Sequence, residues 1–345
     1  MHKNNKSREL ALATKVFVGP MTLNVVKACI EYHNSTDNII SFLPSRRQLD
    51  FGSNSYTALK TPEALISLIS KSSAKRMLVA RDHAGPSQGT LLDNGVASIL
   101  SDVTAGVGQI HIDPFKVSGA TMHTALDKTI YLINRATSLS QNVCFEVGTE
   151  EAIFPYTPGE LDRFLGALLA SVPHEVVKNI LFGVVQSGTS VFNLSNTGNF
   201  DAKKSAAMAK ICEKYGLLAK EHNSDYLSVD DFKERIDCGV KSFNLAPEFG
   251  TIESAVLIDL MKKHNMHEAL RFFRIMCFES GKWKRWGVVD TDQNKYIHLA
   301  GHYIQTHVQM SGIMKTLYDK CDVYGEVKAR IFERLDEVFH ATNSI

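Results

Sequence analysis

The chain predicts an α/β fold, a (β/α)8 barrel with a helical C-terminal extension, and three observations carry that prediction. First, short continuous apolar runs alternate with stretches of helical periodicity along most of the sequence; such runs mark parallel strands buried on both faces. Second, seven of the runs stop at a small polar cluster: Ser45 to Gln48, Arg81 to Pro86, His111 to Pro114, Glu146 to Glu151, Gln186 to Thr189, Glu221 to Tyr226 and Asn244 to Pro247. In barrels of parallel strands catalytic groups sit at the strands' C-terminal ends, so these tips describe the rim of one active site. Third, no G-x-G-x-x-G turn follows the first strand and no Walker phosphate loop occurs, which argues against a dinucleotide-binding sheet.

Each element follows in order. A helix over Leu23 to Tyr32 is expected to close the bottom of the barrel, before a first strand over Asn38 to Leu43. Thr61 as N-cap, Pro62 at the first helical position and Glu63 in the first turn open the next helix, which runs to about Lys71. Arg76 to Arg81 is the second strand, Leu92 to Val103 a helix, Val107 to Ile112 the third strand, and Ala120 to Thr137 a long helix. The fourth strand, Asn142 to Val147, precedes a helix opened by the capping box Thr157-Pro158-Gly159-Glu160. Ile180 to Val185, Leu217 to Lys220 and Val240 to Phe243 are strands five to seven. Helices from Asp201 to Tyr215 and from Ser228 to Cys238 lie between them, stopped by Gly216 and Gly239. Lys295 to Leu299 is assigned as the eighth strand, Ile252 to Cys277 as helical, and Glu326 to His340 as an amphipathic terminal helix. One domain covers residues 1–345, with the barrel over about 20–305 and the extension over about 306–345.

Bulk properties narrow the function classes. With 44% hydrophobic and 22% charged residues the sequence is globular, and a net charge of +1 gives no long-range pull toward nucleic acid or an anionic membrane. The Lys282-Trp283-Lys284-Arg285-Trp286 cluster interleaves basic and aromatic residues as nucleic-acid binders do, but without a basic surplus it reads as a solvated face or a substrate contact. No run approaches a membrane span and the N-terminus does not read as a signal peptide, so a cytoplasmic protein is expected. Six cysteines without C-x-x-C pairs are expected to be reduced, with Cys144 and Cys238 as small strand hydrophobes.

The rim supplies the chemistry. His83 and His222 each lie just beyond a strand, beside Asp82 and Asp225, and with Glu150 they offer two imidazoles and an oxygen ligand. Three protein ligands and an open position are what a catalytic metal site needs. Asp82 and Asp113 are the candidates for proton transfer, with Asp113 equally readable as a turn acceptor before Pro114; Glu150 doubles as an acid/base. His111 lies before its tip and reads as a packed or supporting residue. Arg47, Gln48, Gln186, Ser187, Gly188 and Asn244 are the candidate substrate contacts, the arginine for a phosphate and the others for neutral hydrogen bonds. Arg46 shares the first tip and is a second candidate for phosphate. The tail residues His298, Gly301, His302 and Tyr303 fit no role.

At these residues the chain resembles the tagatose-bisphosphate aldolase accessory-subunit family, the GatZ and KbaZ proteins. The matching segments are Asp82-His83-x-Gly85-Pro86, His111-x-Asp113, Gly148-Thr149-Glu150, Val184-Val185-Gln186-x-Gly188 and Glu221-His222 through Asp225-Tyr226, in that order over roughly residues 38 to 250. The stretch His111 to Lys116 and the tail around Trp283, Trp286 and Gly301-His302-Tyr303 depart from the family pattern. The resemblance implies a (β/α)8 barrel like that of class II aldolases and a divalent metal, zinc first and manganese as the alternative. It also implies cleavage, formation or C4 inversion of a ketose (bis)phosphate by retro-aldol, enediolate chemistry. The alternative it carries is a non-catalytic subunit stabilising a class II aldolase partner chain. A sugar phosphate is the expected small-molecule partner, and a homo-oligomer the expected assembly.

Overall fold

Eight parallel strands form one sheet: β1 (Val16–Val18), β2 (Ile40–Phe42), β3 (Ala80–Ala84), β4 (Gln109–Ile112), β5 (Cys144–Val147), β6 (Ile180–Val184), β9 (Leu218–Glu221) and β10 (Val240–Leu245). A separate antiparallel hairpin, β7 (Thr189–Phe192) and β8 (Ser195–Gly198), lies between β6 and β9. The computed structural model describes residues 5–52, 55–74, 76–89, 93–287 and 293–343. The sheet order is β2-β1-β10-β9-β6-β5-β4-β3, and single bridges Phe42↔Val79 and Ser45↔Asp82 join its two ends, so the sheet closes on itself as a (β/α)8 barrel. Helices such as Pro62–Lys71, Met122–Thr137, Pro158–Ser171 and Ala202–Lys214 connect the strands. Thr157 and Glu160 form the predicted capping box, with each side chain bonded to the other's backbone N–H.

Two expected elements are corrected. Lys295 to Leu299 is not a strand; it lies within the helix Gln293–Ile304, where Tyr296, Ile297, Leu299, Ala300 and Ile304 are buried at helical spacing. The strand missing from the sequence reading is β1, whose apolar run is only Val16 to Val18, too short to read as a buried strand. After Leu245 all regular secondary structure among the described residues is helical. The bottom of the barrel is likewise closed by the helix Lys6–Ala13 and not by Leu23–Ser35, which connects β1 to β2. The side chain of Ala11 and, partly, that of Leu10 belong to the barrel's inner apolar cluster with Phe17, Leu43, Leu78, Ala80, Cys144, Leu181 and Phe182. The larger core lies outside the barrel, between sheet and helices.

The barrel interior is thus apolar below and polar above. His111, Glu146, Lys220 and Asn244, all buried, stand on β4, β5, β9 and β10 toward the strands' C-terminal ends, and the buried Gln109 stands at the start of β4 below them. Since side chains alternate between the two faces of a strand, residues two apart, such as Gln109 and His111 or Lys220 and His222, share the inner face. No helix among the described residues is long and apolar enough to cross a membrane.

Candidate active site

Asp82, His83, His111 and His222 each aim one potential ligand atom into a common space, and these atoms lie within 4.8 Å of one another. Asp82 Oδ1 is the hub: it is 3.7 Å from His83 Nε2, 4.0 Å from His111 Nδ1 and 3.8 Å from His222 Nδ1. Adjacent residues of a regular strand cannot face the same way, yet Asp82 and His83 do. The reason is a β-bulge: the β3–β4 register shifts between Arg81 and Ala84, and His83 takes a left-handed φ of 47°. Bulges of this kind re-aim side chains beside active sites, and such a backbone costs of order 1–3 kcal/mol that the surrounding structure must hold.

Each imidazole is locked from behind. His83 Nδ1 is 2.6 Å from Asp113 Oδ2, His111 Nε2 is 2.9 Å from the Gly148 carbonyl, and His222 Nε2 is 2.5 Å from Glu146 Oε1. A carbonyl or carboxylate oxygen only accepts, so the rear nitrogen carries the proton in every case and the front nitrogen can present a lone pair. At His111 the backbone N–H of His83 donates to Nδ1 at 3.3 Å, so that nitrogen carries no proton, and a cation held there would take the lone pair in place of this N–H. Histidines anchored through their outer nitrogen to carboxylate or carbonyl are how proteins orient metal ligands. Gly148 reaches its carbonyl position with φ 107°, a conformation that L side chains avoid.

Asp113 is fully buried, and its carboxylate takes hydrogen bonds from Thr149 Oγ1, Gln88 Nε2 and the Phe115 N–H besides the contact to His83. It therefore sits behind His83 rather than on the cavity wall. Glu146 is held the same way: Lys220 Nζ lies 2.7 Å and Gln109 Nε2 3.0 Å from its Oε2. The Lys220 ammonium is fully buried, with the Phe17 ring centroid 3.6 Å away and that of Phe182 at 5.2 Å.

The electrostatics follow from this layout. Burial alone would raise Glu146, but Lys220, His222 and His111 outweigh it and hold the carboxyl well below its ordinary range. Burial pushes His111 down to about 4, so its ring is neutral near pH 7. Burial also opposes charging of His83, yet the carboxylates of Asp82 and Asp113 prevail and lift it to about 10. A cation bound to Nε2 must displace that proton. Apparent affinity should therefore climb with pH between about 6 and 8, by up to ~10-fold per unit, with proton release on binding. Cobalt titrations at several pH values, and calorimetry in buffers of different ionisation enthalpy, check both; a flat pH profile would contradict the His83 assignment.

Asp82, His83 and His222 line a cavity of about 480 Å³ whose wall also includes Arg47, Gln48, Glu150, Asn223, Asn244 and Arg285, while His111 is fully buried beside them. Glu150 lies beyond the Gly148 turn on the loop over the mouth; it lines this cavity and is outside the ligand group. The group that could hold a metal ion thus includes His111 and Asp82 with His83 and His222, and leaves out Glu150, the third ligand expected from the sequence. Asn244 is buried with both amide atoms unpartnered, the expected state of a group that waits for a ligand. Gln48 lines the wall while its Oε1 accepts from the Ser45 N–H at 2.7 Å. Of the other candidates, Gln186 is spent on the loop above it, donating to the carbonyls of Thr149 and Phe154 and accepting from the Tyr156 N–H. Ser187 donates to Glu221 Oε1 at 2.7 Å, and the Gly188 N–H donates to Glu151 Oε2 at 3.0 Å. Gly188 has φ 82°, and a Cβ there would meet the Asn199 carbonyl at 2.5 Å, so this glycine serves the backbone turn. Arg46, in contrast to Arg47, is buried in ion pairs with Asp50 and Asp93. Asp225 Oδ1 accepts from the N–H groups of Ala246 and Glu248 and so caps the helix Pro247–Lys263.

No protein-family model and no curated protein matches the chain. Solved structures do match its fold. A probable tagatose 6 phosphate kinase from Sinorhizobium meliloti 1021 superposes with a TM-score of 0.80 at 13% identity, over 95% of this chain and 100% of that one. The fructuronate-tagaturonate epimerase UxaE from Cohnella laeviribosi gives 0.63 at 10% identity, over 97% and 84% of the two chains. Fructose-bisphosphate aldolase from Campylobacter jejuni gives 0.60 at 12%, over 99% and 94%. At these identities the likeness shows a shared barrel.

Proposed function

We propose that this chain is a divalent-metal-dependent enzyme of ketose phosphates, acting as a carbon–carbon lyase of the class II aldolase type or as an epimerase through the related retro-aldol step. The observation that carries the reading is the set of three imidazoles, each pinned by an acceptor at its outer nitrogen, around the unpartnered buried Oδ1 of Asp82. A buried carboxylate oxygen without a hydrogen bond is costly, and the facing imidazole nitrogens stand 3.7 Å, 4.0 Å and 3.8 Å away, too far to supply one. Three histidines and one carboxylate are a ligand set suited to zinc or manganese. A bound cation would polarise the substrate carbonyl. Aldolases and an epimerase among the proteins of similar fold support the same class.

The chain's own residues then divide the work. Asp82, His83, His111 and His222 would hold the cation, while Asp113, the Gly148 carbonyl and Glu146 fix the rings. Asn244 would orient a substrate hydroxyl through its free amide. Glu150, a carboxylate on the cavity wall, would move the proton at the substrate carbon or hydroxyl. Incubating the chain with ketose 6-phosphates and 1,6-bisphosphates plus zinc or manganese should yield triose products or an epimer. Glu150→Gln should then lower kcat by ~10²–10⁴-fold with cation affinity kept. Turnover that appears only after addition of a class II aldolase chain would replace this reading by that of a stabilising subunit.

A further inference from the structure

The cavity separates its charges. Arg47 from the loop after β2, Lys116 from the loop after β4, and Arg285 from the 3-10 turn Lys282–Trp286 all line it. None of the three makes an ion pair among the described residues, whereas Arg46, Arg81, Arg235 and Arg334 are each matched by a carboxylate. They are close enough to repel one another: burial and then the charge of Arg285 depress Arg47, and burial followed by Arg47 and Arg285 depresses Lys116, which Asp113 and Glu150 only partly offset. Three cations gathered against their own repulsion form a seat for an anion from outside the chain.

The hairpin helps to hold this seat. The Asn193 N–H donates to the Trp286 carbonyl at 3.1 Å, and the Phe192 ring packs directly against Gly287. Among the described residues the rest of the cavity wall offers no second cluster of cations. Near β7, β9 and β10 those residues are Ser190, Asn223, Asp225 and Asn244, without a cation. The glycine turn after β6 already holds one of the chain's own carboxylates, that of Glu151, which Lys204 balances at 2.8 Å.

We infer that the substrate carries a single terminal anion, phosphate or carboxylate, seated on Arg47, Lys116 and Arg285, and that a sugar with anions at both ends is disfavoured. This rests on the reading of the site proposed above and names its substrate class.

The test is calorimetric titration of the full cobalt-loaded chain with D-tagatose 6-phosphate, D-tagaturonate, D-tagatose 1,6-bisphosphate, neutral D-tagatose and inorganic phosphate. At least one single-anion probe should bind ~10-fold or more tightly than both the neutral sugar and the bisphosphate, and whether the phosphate or the carboxylate ranks first names the source of the anion. Arg285→Gln, and separately Arg47→Ala with Arg285→Ala, should each remove ~10-fold or more of that affinity with cobalt binding unchanged. A bisphosphate that binds as tightly as the best single-anion probe, arginine variants that bind like the parent, or no binding of any single-anion probe would overturn the inference. Inorganic phosphate is also titrated without cobalt, so phosphate binding that persists in a chain unable to bind cobalt counts against the metal site alone and supports the anion seat.

Discussion

Alanine at His222 is expected to lower cobalt affinity by well over ~100-fold, because removing even an outer partner of a ligating histidine costs ~10–100-fold and here the ligand itself is lost. Alanine at His111 should do the same. The two expectations differ in what they decide. His222 stands at a strand tip and was a metal candidate on sequence alone, whereas His111 precedes its tip and owes its place to the register His111↔Glu146, which puts both side chains on the inner face beneath the mouth. Glu150→Ala gives the contrast: as a wall residue outside the ligand group it should change cobalt affinity by no more than about twofold, well below the ~10–100-fold of an outer-partner loss. Cobalt absorbance in the visible region reports both affinity and geometry. Unchanged binding in the His111→Ala chain, or loss of binding in the Glu150→Ala chain, would restore the ligand set of His83, His222 and Glu150.

What was legible in the sequence is what short-range pattern encodes. The runs Ile180 to Val185 and Asn142 to Val147 are long and apolar enough to read as buried strands, and the capping box at Thr157 fixes a helix start within a residue. β1 is not legible because its apolar run is only Val16 to Val18, between Lys15 and Gly19, whereas the equally short β2 sits in a longer run; Lys295 to Leu299 reads as a strand because its mostly apolar residues fit one as well as the buried side of a helix. The rim was legible as a set of tips, since strand ends are visible in the sequence. The ligand geometry was not, because it depends on a bulge at Asp82-His83 and on how neighbouring strands are staggered. A hint was present in His111-Ile112-Asp113: on a strand these two polar residues point the same way, and the structure uses the first toward the centre and the second to hold His83. The polar turn Gln186 to Gly188 misled for the converse reason. Its groups look available in sequence, yet Thr149, Tyr156, Glu221 and Glu151 consume them.

Lys220→Met should destabilise the fold by about 3–5 kcal/mol, because it leaves the buried Glu146 carboxylate without its partner. Replacing Glu146 and Lys220 together by leucine and methionine should recover most of that stability, since a buried ion pair exchanged for apolar side chains of similar volume is often neutral. That recovery would mean that stability does not require the pair, and the site offers a reason for it. Asp82, Asp113 and Glu146 place three negative charges around the imidazoles, and Lys220 reduces the surplus to two, the charge that a divalent cation would neutralise. Glu146 meanwhile keeps the proton on His222 Nε2 and so leaves Nδ1 bare. The double variant should thus fold like the parent but bind cobalt ~10–100-fold more weakly, the usual cost of losing the partner behind a ligating histidine. Urea denaturation measures the first quantity and cobalt titration the second. A double variant that keeps full cobalt affinity would reduce Lys220 and Glu146 to barrel filling, and a single variant that loses no stability would mean that the pair is not ionised in the folded chain.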